Sequence, residues 1–206
     1  MKIVVLAGGT STEREVSIVS GTGVCKALQE RGHQAILLDV FFGWEDADPE
    51  KVFSVSWDVD AVAARIRNYT PQLEEAVKTR RDFFGPKVLE LCQAADVVFM
   101  ALHGANGEDG RVQAAFDLFG IRYTGTGYLS SAVSMDKAVT KQFFKGHDIP
   151  SPQGTSLKRD DKMVSCAELG LEFPVIVKPC CGGSSVGVEI ANTEEVSRQL
   201  WRRHFT

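Results

Sequence analysis

Apolar positions in the first hundred residues change period repeatedly, from short unbroken runs to three-and-four spacing and back. The runs at 3–6, 35–40 and 97–102 are rich in Val, Ile, Leu and Phe and end at turn-forming residues, so each predicts a strand. Between the first two, residues 15–31 set Val16, Val19, Gly23, Ala27 and Leu28 at near-helical spacing, and Gly32 is placed to cap the helix. Strand, helix and strand in that order predict a β-α-β unit, and hence a parallel sheet flanked by helices.

Residues 41–85 break the rhythm. Trp44-Glu-Asp-Ala-Asp-Pro49 and Asn68-Tyr-Thr-Pro71 are turn-like, while 53–59 alternates apolar with polar and could pair as a hairpin. Periodicity then returns, with a helix expected over 86–95, the strand 97–102, and a helix over 111–119 ended by Gly120. A short strand at 121–123, a turn at 124–127 and a long helix from about 129 to 145 follow. Past Pro150 and Pro152 the pattern reads strand, helix, strand, loop, strand, so a domain boundary is expected near residue 130. This division gives an N-terminal parallel-sheet α/β domain over 1–130 and a second domain over 131–206.

Composition narrows the class. The 206 residues are 44% hydrophobic and 24% charged, enough for a sizeable core in one or two globular domains. The net charge of −4 offers no general attraction to nucleic acid or anionic membrane, so an anionic ligand needs a local site. No run approaches the roughly 18 apolar residues of a membrane span. The apolar start is too short for a secretory segment. Cys25, Cys92, Cys166, Cys180 and Cys181 are odd in number and lack zinc-ligand spacing, which fits a reducing cytoplasm.

Four segments carry candidate chemistry. Gly8-Gly9-Thr10-Ser11-Thr12-Glu13-Arg14-Glu15 follows the first strand and opens a helix, so its N–H groups could bind an anion. It has neither dinucleotide-fingerprint nor P-loop spacing, and the plainer alternative is a capping turn with solvated charges. Glu13, at the carboxyl edge of a parallel sheet, could instead pair with a substrate ammonium. His103 stands where the third strand meets a loop with three glycines, Gly104, Gly107 and Gly110. There it could orient a carboxylate or assist proton transfer, although a lone histidine is commonly structural. Lys137 lies in the long helix, where it could be one more solvated lysine beside Lys141 and Lys145. Lys178 ends the apolar run Phe173-Pro-Val-Ile-Val, where an idle buried cation would be costly, and precedes Pro-Cys-Cys-Gly182-Gly183-Ser184-Ser185-Val-Gly187. An ammonium beside unhindered backbone N–H groups suits a polyphosphate. Cys180 and Cys181 read as loop residues, and the pairs Phe41-Phe42 and Phe143-Phe144 as core.

Taken together, Gly8-Gly-Thr-Ser-Thr-Glu13-Arg-Glu-Val-Ser17, Ala101-Leu-His103-Gly104, Gly107-Glu-Asp-Gly110, Tyr123-Thr-Gly-Thr-Gly127, Ser134-Met-Asp-Lys137, and Val177-Lys178-Pro with Gly183-Ser184-Ser185-Val-Gly187 resemble the D-alanine–D-alanine ligases of the ATP-grasp superfamily. The resemblance runs in order from residue 3 to about 190. It implies a Rossmann-like pre-ATP-grasp domain followed by an incomplete α+β ATP-grasp central domain. It also implies ATP- and Mg²⁺- (or Mn²⁺-) dependent ligation of two D-alanines for peptidoglycan, through an acylphosphate. On matching positions, Glu13 would hold the first D-alanine's ammonium with His103 close by. Lys137 and Lys178 would contact ATP phosphates, while Gly183, Ser184, Ser185 and Gly187 would cover the reacting phosphoryl group. Metal ligands are expected beyond residue 206, so the chain is expected to be an inactive front portion of a cytoplasmic, homodimeric enzyme. A D-alanine–D-lactate or D-alanine–D-serine ligase, and a non-catalytic dimerisation or regulatory fragment, are the alternative readings. The departure from the family pattern is Cys180-Cys181-Gly182, where many relatives carry more polar residues.

Overall fold

The computed structural model describes residues 1–205, with side chains as far as Arg203. It divides into two compact units, Met1–Ala132 and a second that begins at Val133. In the first, β1 (Lys2–Ala7), β2 (Gln34–Asp39) and β3 (Val97–Met100) form a parallel sheet in the order β2-β1-β3. The connection from β1 to β2 is α1 (Arg14–Glu30). The helices α2 (Val59–Asn68), α3 (Leu73–Thr79) and α4 (Val88–Ala94) lie between β2 and β3, and α5 (Arg111–Phe119) follows.

Alternation along β1 sorts the core into two layers. Ile3, Val5 and Ala7 face α1 and α2 with Ile18, Val59 and Ile66, while Val4 and Leu6 face the opposite side with Val88, Leu91 and Phe116. Both faces are covered, which is why the three strands read as unbroken apolar runs.

Several expectations are corrected. The buried stripe of α1 is Arg14, Ser17, Ile18, Gly21 and Cys25, whereas Val16 and Val19 are 56% and 57% exposed. Close approach decides the face: a Cβ at Gly21 would stand 2.8 Å from that of Ala7, and Ser17 Oγ donates to Ala101 O (2.7 Å) and accepts from Gly8 N (3.0 Å). No hairpin forms over 53–59. A 3-10 turn, Val52–Ser54, is tied back by Trp57 Nε1 donating to Val52 O (2.8 Å), and Asp58 starts α2 by accepting from the N–H groups of Asp60 and Ala61. Residues 121–123 reach the sheet through one parallel bridge, Tyr123 to Val98, rather than as a strand.

The expected long helix is two, α6 (Tyr128–Met135) and α7 (Lys137–Gly146). Asp136 separates them because its backbone is extended and its carboxylate accepts from Ala138 N (2.8 Å) and Val139 N (3.1 Å), capping α7. Phe143 is exposed and stacks on His147 at 4.2 Å, so it is not core. Between α7 and β4 (Val175–Val177) no strand or helix forms. Asp161 turns back to accept from Lys158 N, and residues 165–171 make turns closed by Gly170 at φ +67°. β4 pairs antiparallel with β5 (Glu189–Ala191), and α8 (Glu194–Phe205) follows.

At the carboxyl edge of the sheet, Arg14 (4% exposed) meets Asp39 (1% exposed) in a buried ion pair. Arg14 also donates to Gly9 O (2.8 Å), Ile66 O (3.3 Å) and Thr70 Oγ1 (3.2 Å), while Asp39 Oδ1 accepts from Phe41 N (2.9 Å). Removing one member leaves a buried charge without its partner, at about 3–5 kcal/mol, whereas replacing both by apolar residues can be nearly neutral. Arg14→Met is therefore expected to lower Tm by about 10 °C, using about 2–4 °C per kcal/mol for a chain of this size. Arg14→Met with Asp39→Leu should recover at least half of that loss; a single variant that melts with the parent would refute the assignment. Asp136→Ala is expected to cost about 1 kcal/mol by loss of the α7 cap, read as a lowered midpoint in urea.

Candidate functional site

Two groups of the sequence-predicted residues are assembled, one in each unit. In the first unit the loops after β1 and β3 lie side by side at the carboxyl edge, the ligand side of an open α/β sheet. Glu13 occupies the N-cap position of α1, yet its side chain makes no capping hydrogen bond. Its carboxylate lies against the second loop: a Cβ at Gly104 would stand 2.7 Å from Glu13 Oε2, and Gly104 has φ +70°. Glycine is needed there on both counts.

Ser11 joins the two loops, its Oγ donating to His103 O (2.7 Å) and accepting from Glu13 N (3.2 Å). The imidazole of His103 has Nε2 3.1 Å from Ser20 Oγ, and Nδ1 4.0 Å from Glu108 Oε1. Glu108 Oε2 accepts from Gly104 N at 2.7 Å. Glu13 and His103 are thus brought to one place, with a second carboxylate beside them. That set suits an ammonium and a carboxylate on one small zwitterion.

Not all of the first loop's N–H groups are open to an anion. Gly8 N donates to Ser17 Oγ, Gly9 N to Asp39 Oδ1 and Arg14 N to Ser11 O, so these donors serve the fold. Nor are the charges of Glu13-Arg14-Glu15 all solvated, since Arg14 is buried. Sequence reasoning missed Asp39, Ser11, Ser20 and Glu108. The available signal was an aspartate closing the apolar run of β2, where a carboxylate requires a partner.

In the second unit the glycine-rich segment is the connection between the antiparallel strands β4 and β5. It borders a cleft of about 360 Å³ lined by Lys137, Lys178, Cys181, Gly183, Ser184 and Ser185, among others. Gly187, at φ +73°, lies between Val186 and Val188 on the same wall. Ser184 and Ser185 both adopt left-handed backbone, φ +49° and +57°, a strained conformation that clusters at ligand-contacting loops.

The cap at Asp136 makes Lys137 the first residue of α7. Its N–H donates to Cys180 O (3.0 Å) and its Nζ to Gly182 O (2.8 Å), so the lysine grips the loop. Lys178 is exposed, so the expected burial cost does not apply to it. Its position on the cleft wall is what remains. Two ammonium groups and a glycine-serine loop suit phosphate oxygens. A larger hollow of about 420 Å³ at the amino end of β3, lined by Cys92, Asp96, Phe119 and Arg122, holds none of the motif residues. Among the described residues no group of three or more His, Cys, Asp or Glu could hold a metal ion, so no step is assigned to one.

The profile described as D-ala D-ala ligase N-terminus matches residues 2–126. The D-alanine–D-alanine ligase of Lacticaseibacillus casei is 43% identical over 204 residues, covering 95% of this chain and 55% of the relative. The chain thus spans about half the length of the curated relatives it matches. Among solved structures, a D-alanine–D-alanine ligase from Bacillus anthracis superposes with a TM-score of 0.68 at 28% identity, covering all of this chain and 54% of that one. The ATP complex of the Bacillus anthracis ligase, 24% identical with a TM-score of 0.66 over all of this chain and 55% of that one, shares the fold. The chain belongs to the D-alanine–D-alanine ligase family.

Proposed function

We propose that this chain provides the first-substrate site and part of the ATP phosphate site of a D-alanine–D-alanine ligase acting in peptidoglycan synthesis. The carrying observation is the cleft in which Lys137, Lys178 and the left-handed Ser184 and Ser185 surround the glycine loop. A fold relative solved with ATP supports the choice of nucleotide. On this reading residues 1–130 are the pre-ATP-grasp domain, and 131–206 belong to the ATP-grasp central domain.

Glu13 pairs with the ammonium of the first D-alanine, and His103, held by Ser20, lies beside its carboxylate. Lys137 and Lys178 neutralise phosphate charge, while Gly183, Ser184, Ser185 and Gly187 offer backbone and hydroxyl donors over the reacting group. ATP, when bound, supplies the phosphoryl group that activates the D-alanine carboxylate as an acylphosphate. Positioning and charge neutralisation are what these residues contribute. The divalent ion, Mg²⁺ or Mn²⁺, finds no set of ligands among the described residues. A homodimer through this unit is part of the family reading. A place in the cytoplasm is part of the same reading; no helix among the described residues is long and apolar enough to cross a membrane.

Because Lys178 is exposed, its contact with phosphate is screened and modest. ATP is therefore expected to bind the purified chain only near the millimolar range. Amide shifts in ¹H–¹⁵N spectra should concentrate at 137 and 178–187, and Lys178→Gln should weaken binding about five- to tenfold. Shifts centred on Cys92 and Arg122 instead, or none at 10 times that concentration, would overturn the assignment. D-alanine should perturb Glu13, His103 and Gly104, with the effect lost in Glu13→Gln. Phosphate release dependent on both ATP and D-alanine is expected to be undetectable from this chain alone; measurable turnover would show that its own residues complete the metal site.

A further inference from the structure

One buried side chain holds the loop after β3 from beneath. Gln113, the third residue of α5, is 6% exposed, and its Nε2 donates to Gly107 O at 2.7 Å. Gly107 is in turn wedged against the Leu102–His103 peptide, since a Cβ there would stand 2.5 Å from Leu102 Cβ and 3.3 Å from His103 N. From this point the loop closes on itself, with Glu108 N donating to Gly104 O (2.9 Å) and Gly104 N to Glu108 Oε2 (2.7 Å). Its outer side is held by Arg111, whose Nη1 donates to Asp109 Oδ2 (2.8 Å) and Asn106 Oδ1 (3.3 Å). That side chain is 72% exposed, so water competes for the same groups. The orientation of the Gln113 amide follows from its partner, because a carbonyl oxygen only accepts and so faces the NH₂. The other end of the amide, Oε1, is left buried with no hydrogen-bond partner among the described residues. A buried acceptor without a donor is destabilising, so packing alone would favour an apolar side chain at this position.

We propose that Gln113 is a positioning residue, which through Gly107 fixes the loop that sets His103 and Glu108 beside Glu13. It acts on them through the backbone, by denying the loop the freedom to lift His103 away from Ser20 and Glu108 away from Gly104 N. The unsatisfied oxygen comes with the donor, since an amide carries both. Substitution therefore separates two quantities that move together for an ordinary core residue: stability is kept while the hold on the loop is lost. The identity of D-alanine as the ligand of that site rests on the reading given above, but the hold on the loop does not.

The test is amide hydrogen exchange on the full chain, followed in ¹H–¹⁵N spectra, for the parent, Gln113→Met and Arg111→Gln. Gln113→Met keeps the length and suits a helix, but removes both the donor and the unpartnered oxygen. It is expected to speed exchange at Gly104 and Glu108 about tenfold relative to Val5 and Leu37 in the sheet, with Tm within about 3 °C of the parent. Arg111→Gln, which severs only the outer bonds, should change these rates less than about twofold. In the parent, the Gln113 side-chain N–H groups and the Gly104 and Glu108 amides should show protection factors that agree within about threefold, because they open together. That comparison needs no variant, and disagreement would count against the proposal even if Gln113→Met failed to fold. D-alanine, titrated into both chains, should bind Gln113→Met about fivefold more weakly. Unchanged rates at Gly104 and Glu108, acceleration spread equally over Val5 and Leu37, or D-alanine affinity equal in variant and parent would overturn the proposal. Parent spectra indifferent to D-alanine would instead remove the substrate reading, and the exchange rates alone would then decide whether Gln113 holds the loop.

Discussion

The first unit depends on one buried charge pair. Arg14 leaves the first turn of α1 and reaches Asp39 at the end of β2, Gly9 O in the loop after β1, and Ile66 O near the end of α2. Three separate chain segments share one guanidinium, whose planar fork supplies the donors that such a junction needs. Its cost in desolvation is offset only because nearly every lone pair and proton around it is used. Phe42 adds a ring face 5.2 Å from the guanidinium carbon. This junction sets the path of residues 8–14, and so the position of Glu13.

A second constraint follows from the close fit of α1 to the sheet. Gly21 and Ser17 face β1 because the helix lies too near for larger side chains, and Ser17 spends its hydroxyl on the ends of β1 and β3. Ser11 and Gly104 repeat that economy at the rim, where the loops after β1 and β3 meet. Several of the loop's backbone donors are consumed in this way, and Glu13, Glu108 and His103 stand at the rim. On the proposed reading, these carboxylates face the ammonium of an amino-acid substrate.

In the second unit the sign is reversed. Lys137 is placed by the Asp136 cap and holds the loop through Cys180 O and Gly182 O, while Lys178 leaves β4 toward the cleft. The left-handed serines show that the loop's course is imposed by its contacts rather than by local preference, since only glycine adopts that backbone freely. The same loop carries two exposed thiols, of which one borders the cleft.

Much of the architecture was legible without coordinates. The unbroken apolar runs located β1, β2 and β3 because both faces of a parallel sheet are covered, and the glycines after α1 and α5 marked helix ends because a left-handed residue closes them. The ordered motifs from Gly8 to Gly187 carried the family, and with it Glu13, His103, Lys137 and Lys178 as candidates. Tertiary structure alone decided which face of α1 is buried, since valine outranks serine and glycine by hydrophobicity but not by closeness of fit. It also decided that 53–59 folds back through Trp57 rather than pairing, and that Asp136 ends one helix to cap the next. Above all, it turned Arg14 from one charge in an apparently solvated Glu-Arg-Glu run into the buried partner of Asp39. Sequence order records neighbours along the chain, whereas the free energy of a charge depends on which groups surround it in space.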